Sequence, residues 1–258
     1  MKSMKRVHLL VTAIVVLITT FASAQDQDDE PLPPPRRAGA TKIGGAGGFT
    51  QSWLFMNVDP INQIMKKENL AEFNRSGVFM VGGQGYGYIM LVPNLRIGGM
   101  GMSGSAKSKT LAGNIVREVE LSAGYGGVTV DYTLPVVPRL DVSIGMMLGG
   151  GGIDLKFNRS YGLAQQWDKT WDDFGLGAKP ADEYSGKLSG SFFIYQPALN
   201  VEYAVLRWVG IRAGVSYVGM SNPTWKRDDK FEVFGVPGDV SGKGWSFNTG
   251  IFIGTFVF

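Results

Sequence analysis

The chain has 258 residues, 25 of them basic and 22 acidic, with one histidine and no cysteine. Lacking cysteine, it has no disulfide framework, no thiolate nucleophile and no acylated anchor; beyond His8 it has no imidazole for a Ser-His-Asp triad or an ordinary zinc site. The excess positive charge is Lys2, Lys5 and Arg6, so the chain after residue 24 is neutral overall and offers no electrostatic reason to expect nucleic acid.

Glycine is the outlier. The 37 glycines follow no three-residue period, which excludes collagen, and the abundant Phe, Ile, Val, Leu and Met exclude disorder. Glycine mixed with aromatic and alternating apolar residues suits strongly curved sheets.

In chain order, residues 1–24 combine a basic start, an apolar run and an A-x-A site at Ala22-Ser23-Ala24. This pattern predicts an export signal cleaved before Gln25. A retained anchor is the alternative, although the run is short of the roughly 20 residues a spanning helix needs. Residues 25–40, QDQDDEPLPPPRRAGA, are acidic, then proline-rich, then basic, and predict an extended linker ahead of a barrel domain over 41–258.

Eight strand-like segments follow: 41–56, 77–92, 94–107, 114–133, 139–157, 186–205, 210–220 and 244–258. Each alternates with period two or is apolar on both faces, and each is bounded by Gly, Pro, Asn or Asp. Strands two and three join around Pro93-Asn94, four and five through LPVVP, and six and seven through LRWVG. The alternate connections, 57–76, 108–113, 158–185 and 221–243, are longer. Strict alternation puts all short turns at one end, the pattern of an all-β, closed, antiparallel up-and-down barrel with periplasmic turns and outer loops. Within 57–76, DPINQIMKKENLAEF predicts one short helix with Ile61, Ile64, Met65 and Phe73 on its apolar face. It either caps the barrel or, using Lys66 and Lys67, lies on the outer leaflet.

With its signal segment, eight strands, alternating turns and terminal Phe252, Phe256 and Phe258, the chain resembles a small bacterial outer-membrane β-barrel protein. The resemblance implies outer-membrane lipid around the wall and barrel-assembly machinery reading the C-terminal aromatics. It also implies a structural, adhesive or ligand-binding role through the outer loops, with an extracellular ligand as partner. Enzymes of that class rely on a histidine, and the mature chain has none, so no catalytic role and no cofactor is expected. A small pore and a soluble periplasmic lipocalin-like barrel are the alternatives.

Alternation then assigns faces. Phe193, Tyr195, Leu199, Val201 and Tyr203 point to lipid, which turns Gln196, Asn200 and Glu202 inward. Ile211, Ala213, Val215 and Tyr217 point to lipid, which turns Arg212 inward, opposite Glu202. Asp131, Asp141 and Arg96 join them, so five charges are expected at the periplasmic end of the lumen. They could form a gate or an ion path, or a salt-bridge network filling a lumen too narrow for water. In the last strand, Ile251, Ile253 and Val257 are expected on the inner face, where an apolar lining favours a lumen packed shut.

Two outer loops carry aromatic and acidic residues that suit a sugar or a calcium ion: Trp167, Asp168, Trp171, Asp172 and Asp173 in one, Trp225 in the other. The alternating acids and central glycine of an EF-hand loop are missing, so no metal site is assigned. GMSGSAKSKT, GGQGYGY and GMSGS only superficially match phosphate, dinucleotide and nucleophile loops, and each is expected to be barrel wall.

Overall fold

A computed structural model of the protein describes residues 44–89, 91–161 and 183–256. The strands are β1 (Gly45–Met56), β2 (Val78–Tyr88), β3 (Leu95–Ala112), β4 (Ile115–Val137), β5 (Leu140–Tyr161), β6 (Tyr184–Ala204), β7 (Val209–Arg227), the two-residue β8 (Phe231–Glu232) and β9 (Gly244–Thr255). One helix, α1 (Asp59–Lys67), follows β1. Each strand from β1 to β7 pairs antiparallel with the next, β7 pairs with β9, and β9 returns to β1. Eight strands therefore close a ring, and β8 only pairs antiparallel with the last two residues of β7. Closure matters because it leaves no edge of unpaired amides and carbonyls.

The wall has two storeys. A tilted strand crosses a bilayer with roughly 9–11 residues, whereas β4 has 23 and β5 has 22. Along β4 the outward residues Val128, Val130, Tyr132, Leu134 and Val136 are exposed and apolar. Higher on the same face come Ser122, Glu120 and Glu118. Ile144, Met146 and Leu148 on β5 and Phe193, Tyr195, Leu199 and Val201 on β6 continue the apolar belt. Above it, Lys107 faces Glu120 at 3.7 Å, and Lys187 faces Asp154 at 3.4 Å. Outward ion pairs need water, so the lower storey suits lipid and the upper one an aqueous phase.

Ile144 pairs with Tyr132 on one side and Leu199 on the other, in the middle of this belt. Ile144→Arg is therefore expected to destabilise the barrel by roughly 2–4 kcal/mol in lipid, while Ser122→Arg in the upper storey stays within about 0.5 kcal/mol. Urea unfolding in liposomes, followed by tryptophan fluorescence, measures both.

The upper connections differ from expectation. The segment 108–113 is no loop: β3 continues to Ala112 and turns through Gly113, whose φ is +60°, and Asn114. β7 likewise continues to Arg227, seven residues past its expected end. Hydrogen bonds along these extensions persist because a two-storey wall keeps its ladder after leaving the lipid.

Helix α1 caps the upper lumen. Ile61 and Met65 are buried in one cluster with Leu54, Met80, Met102, Leu121, Ile153 and Ile194. Phe73 joins this cluster from beyond the helix, held by Asn62, whose side chain accepts from the Phe73 amide (2.8 Å) and donates to its carbonyl (3.0 Å). Ile64, expected on the buried face, is exposed. The helix ends at Lys67, before Asn69 takes a positive φ of 53°. Burial of Ile61 and Met65 inside the wall rules out the alternative in which this face lies on the leaflet.

Candidate functional site: the layered lumen

The short turns place the lower lumen residues. Glu202 and Arg212 face each other across the β6–β7 hairpin, Asp141 pairs with Glu202 across β5–β6, and Arg96 pairs with Asp131 across β3–β4. All five charged residues expected in the lumen are thus brought to one end. Arg96 sits at the centre, 1% exposed, with Nη2 2.9 Å from Asp141 Oδ2 and Nη1 3.0 Å from Glu202 Oε1. Arg212 donates from Nη2 (2.5 Å) and Nε (3.0 Å) to Glu202 Oε2. Glu202 therefore bridges the two guanidiniums. Asp131 is buried and feels both of them.

Three aromatics complete this plug, and alternation alone did not single them out. The Tyr86 hydroxyl donates to Glu202 Oε1 at 2.7 Å, and Tyr88 accepts from Arg96. The Arg96 guanidinium lies 4.2 Å from the Tyr86 ring centroid, and that of Arg212 lies 4.4 Å from Phe252. Stacking on ring faces compensates part of the lost hydration of the guanidiniums. The signal was in GGQGYGY, where period two carries Tyr86 and Tyr88 on one face with Met80.

The last strand corrects an expectation. Phe252 is fully buried in the lumen, whereas Ile251 and Ile253 are 58% and 62% exposed on the outer wall. The two faces are therefore exchanged relative to the expected assignment. Closure decides this: Arg212 pairs with Gly250 across β7–β9, so its inward direction fixes that of β9, and Phe252 follows on the same face. Phe256 is half-buried against the Tyr86–Phe252 cluster; Val257 and Phe258 lie outside the described residues.

Trp225 is a second correction. It lies in β7, not in a loop, and its ring is buried edge-on to Phe192 with centroids 5.7 Å apart. Gly190 leaves room for it, since a Cβ there would come within 2.9 Å of the indole. Trp167, Asp168, Trp171, Asp172 and Asp173 lie outside the described residues.

The lumen is thus layered, with an ionic plug below and an apolar plug under α1 above. Between them lies a cavity of about 20 Å³, lined by Asp131, Thr50, Thr129, Tyr125, Gln196 and Asn200 among others. That is room for about one water. It is a closed small transmembrane-type β-barrel.

No family model and no curated protein sequence matches the chain. Among solved structures, it is similar to Ail, the attachment invasion locus protein of Yersinia pestis, in its complex with the heparin analogue sucrose octasulfate. Identity is 8%, with 83% of this chain and 99% of that one covered and a TM-score of 0.43. A major outer membrane protein from Thermus thermophilus shares 9% identity over 82% of this barrel and 98% of that chain, with a TM-score of 0.41. Acinetobacter baumannii CarO shares 10% over 81% and 96%, with a TM-score of 0.37. The barrel assignment itself stands on the closed strand ring and its apolar belt.

Chemically, the plug holds charge in place. Its carboxylates and guanidiniums are engaged with one another and with tyrosine hydroxyls, and among the described residues no group of three His, Cys, Asp or Glu is arranged to hold a metal ion.

Proposed function

We propose that the protein is a non-enzymatic barrel of the bacterial outer membrane that presents its outer loops to an extracellular ligand, with a lumen that braces the wall and conducts nothing. The observation that carries this reading is the two-storey wall with a lumen filled at both levels. A channel needs a continuous polar path, and the apolar cluster of Leu54, Met80, Leu121, Ile153, Ile194 and Val218 interrupts it. The upper storey carries the upper ends of the strands clear of the lipid, a useful position from which to present loops to a partner. In this reading the aromatic residues Phe252, Phe256 and Phe258 are the C-terminal signal that the barrel-assembly machinery takes up.

Cell fractionation with unheated gels tests the location: recovery in the outer membrane with a heat-dependent mobility shift is expected, and a soluble periplasmic product would refute it. Planar-bilayer recordings of the purified barrel test the closed lumen, where a stable ion-selective open state would overturn it. Replacing 162–182 by a short Gly-Ser linker is expected to remove binding to host-cell or matrix surfaces while leaving the mobility shift intact.

A further inference from the structure

Three short turns close the lower end of the wall: 89–94 between β2 and β3, 138–139 between β4 and β5, and 205–208 between β6 and β7. Turns that stand in water are normally built from polar residues. These are not. Leu91 is 91% exposed and Trp208 57%, and Val92, Val137, Val205 and Leu206 are exposed beside them. The three turns contain no aspartate or glutamate, and their charged residues are Arg139 and Arg207, both exposed.

The backbone of these turns also suits an apolar phase. Loops are kept out of lipid by amides and carbonyls that find no partner there. Here Pro93 and Pro138 have no amide to satisfy. The carbonyls of Asn94, Arg139, Arg207 and Trp208 accept from the amides of Thr133, Ala204, Phe256 and Gly254, at 2.9, 2.9, 3.2 and 3.0 Å. Inside the third turn, the Leu206 amide donates to the Val209 carbonyl at 3.0 Å. The turns also adjoin the apolar belt without a polar break. On β4 the outward belt residues run from Val128 to Val136 and meet the turn at Val137, which is exposed as well.

We infer that the three turns form a foot seated in the inner leaflet of the membrane, where Arg139 and Arg207 bind the phosphates of anionic phospholipids. An apolar surface that carries cations and no acidic group matches an anionic lipid interface. Trp208 beside Arg207 places an amphipathic ring and a cation together at headgroup level. Arginine reaches a phosphate while its carbon stem stays in the apolar layer. A protein partner would need one apolar surface shaped to three separate turns, whereas the leaflet meets all three as a continuation of the belt. The foot holds the lower end of the wall in the membrane, so the surplus strand length stands out on the other side. This inference rests on the lower storey spanning lipid, and it adds which lipid its lower end recognises.

Because the chain has no cysteine, Leu91→Cys, Leu206→Cys, Val128→Cys and Ser122→Cys can each carry a single nitroxide label. The full chain is refolded into liposomes of phosphatidylethanolamine and phosphatidylglycerol, with folding verified on unheated gels. Collision of each label with oxygen and with a water-soluble nickel chelate reads its depth. Labels at 91 and 206 should resemble the belt label at 128, favouring oxygen, while the label at 122 favours nickel. Nickel access at 91 and 206 with 128 protected would overturn the foot and leave the membrane barrel standing. Nickel access at 128 as well would refute the lipid-spanning storey on which the foot depends. For the headgroups, spin-labelled phosphatidylglycerol should associate with the wild-type barrel about two- to fivefold more strongly than spin-labelled phosphatidylcholine at low salt. The double variant Arg139→Gln/Arg207→Gln should lose most of that preference. Equal association of the two lipids, or a preference unchanged in the double variant, would overturn the assignment of the arginines.

Discussion

Glu202→Ala is expected to be among the most damaging single substitutions in the barrel, lowering its stability by roughly 3–5 kcal/mol. Glu202 is the acceptor shared by Arg96, Arg212 and Tyr86, and all three groups lie where water cannot replace it. Removing it leaves two guanidiniums facing each other across a dry lumen, with Asp141 still engaging Arg96. The loss measures the cost of stranding charge, so it exceeds what the intact network contributes. Two further variants separate these quantities. Adding Arg212→Ala to Glu202→Ala should cost less than the two single changes together, because one stranded charge goes with its partner. Replacing Arg96, Glu202 and Arg212 together by Met, Leu and Met should leave stability within about 1–2 kcal/mol of the native barrel, since well-packed apolar groups substitute for buried ion pairs at little cost. Urea titration of the refolded proteins reads all of these. A Glu202→Ala loss below about 1 kcal/mol would mean that water reaches the plug.

Gly98→Ala should destabilise the barrel by roughly 1–3 kcal/mol or block closure, although it adds a single methyl group. A Cβ at Gly98 would collide with the Gly85 carbonyl oxygen of the paired strand, and backbone held in a ladder cannot move aside as a side chain does. Gly98 occupies the inward face of β3 with Arg96 and Met102, where the curvature of a narrow barrel crowds adjacent strands. Gly87→Ala is the control on β2, because nothing lies within 4 Å of its Cβ position. It should change stability by less than about 0.5 kcal/mol. Refolding yield on unheated gels, followed by urea midpoints, distinguishes the two. Equal behaviour would mean that the wall coils less tightly than its register indicates.

Some of this architecture was legible in the residues and some was not, for reasons that differ by strand. The β6–β7 hairpin was assigned correctly face by face because polarity labels its two sides. Glu202 and Arg212 cannot face lipid unpaired, and the short turn through 205–208 fixes their register. No such label exists in β9, where Phe252 alternates with Ile251 and Ile253 and both faces are apolar. Period two there identifies a strand and leaves its orientation open. Trp225 misled for a related reason, since its flanking Asn222, Pro223 and Lys226 suggest a loop. Its burial depends on Gly190, a residue of the neighbouring strand 35 positions away in sequence.

By itself, the sequence determined that the chain makes eight antiparallel strands, that short turns share one end, and that five charged residues meet inside. These follow from local periodicity, turn chemistry and the cost of exposing charge to lipid. Only the tertiary structure decided which face of β9 points inward, that Tyr86, Tyr88 and Phe252 enclose the arginines, and that Asp131 faces a small void between the two plugs. Those features arise from ring closure. Closure sets the register of each strand against both neighbours at once, and no single stretch of sequence carries that constraint.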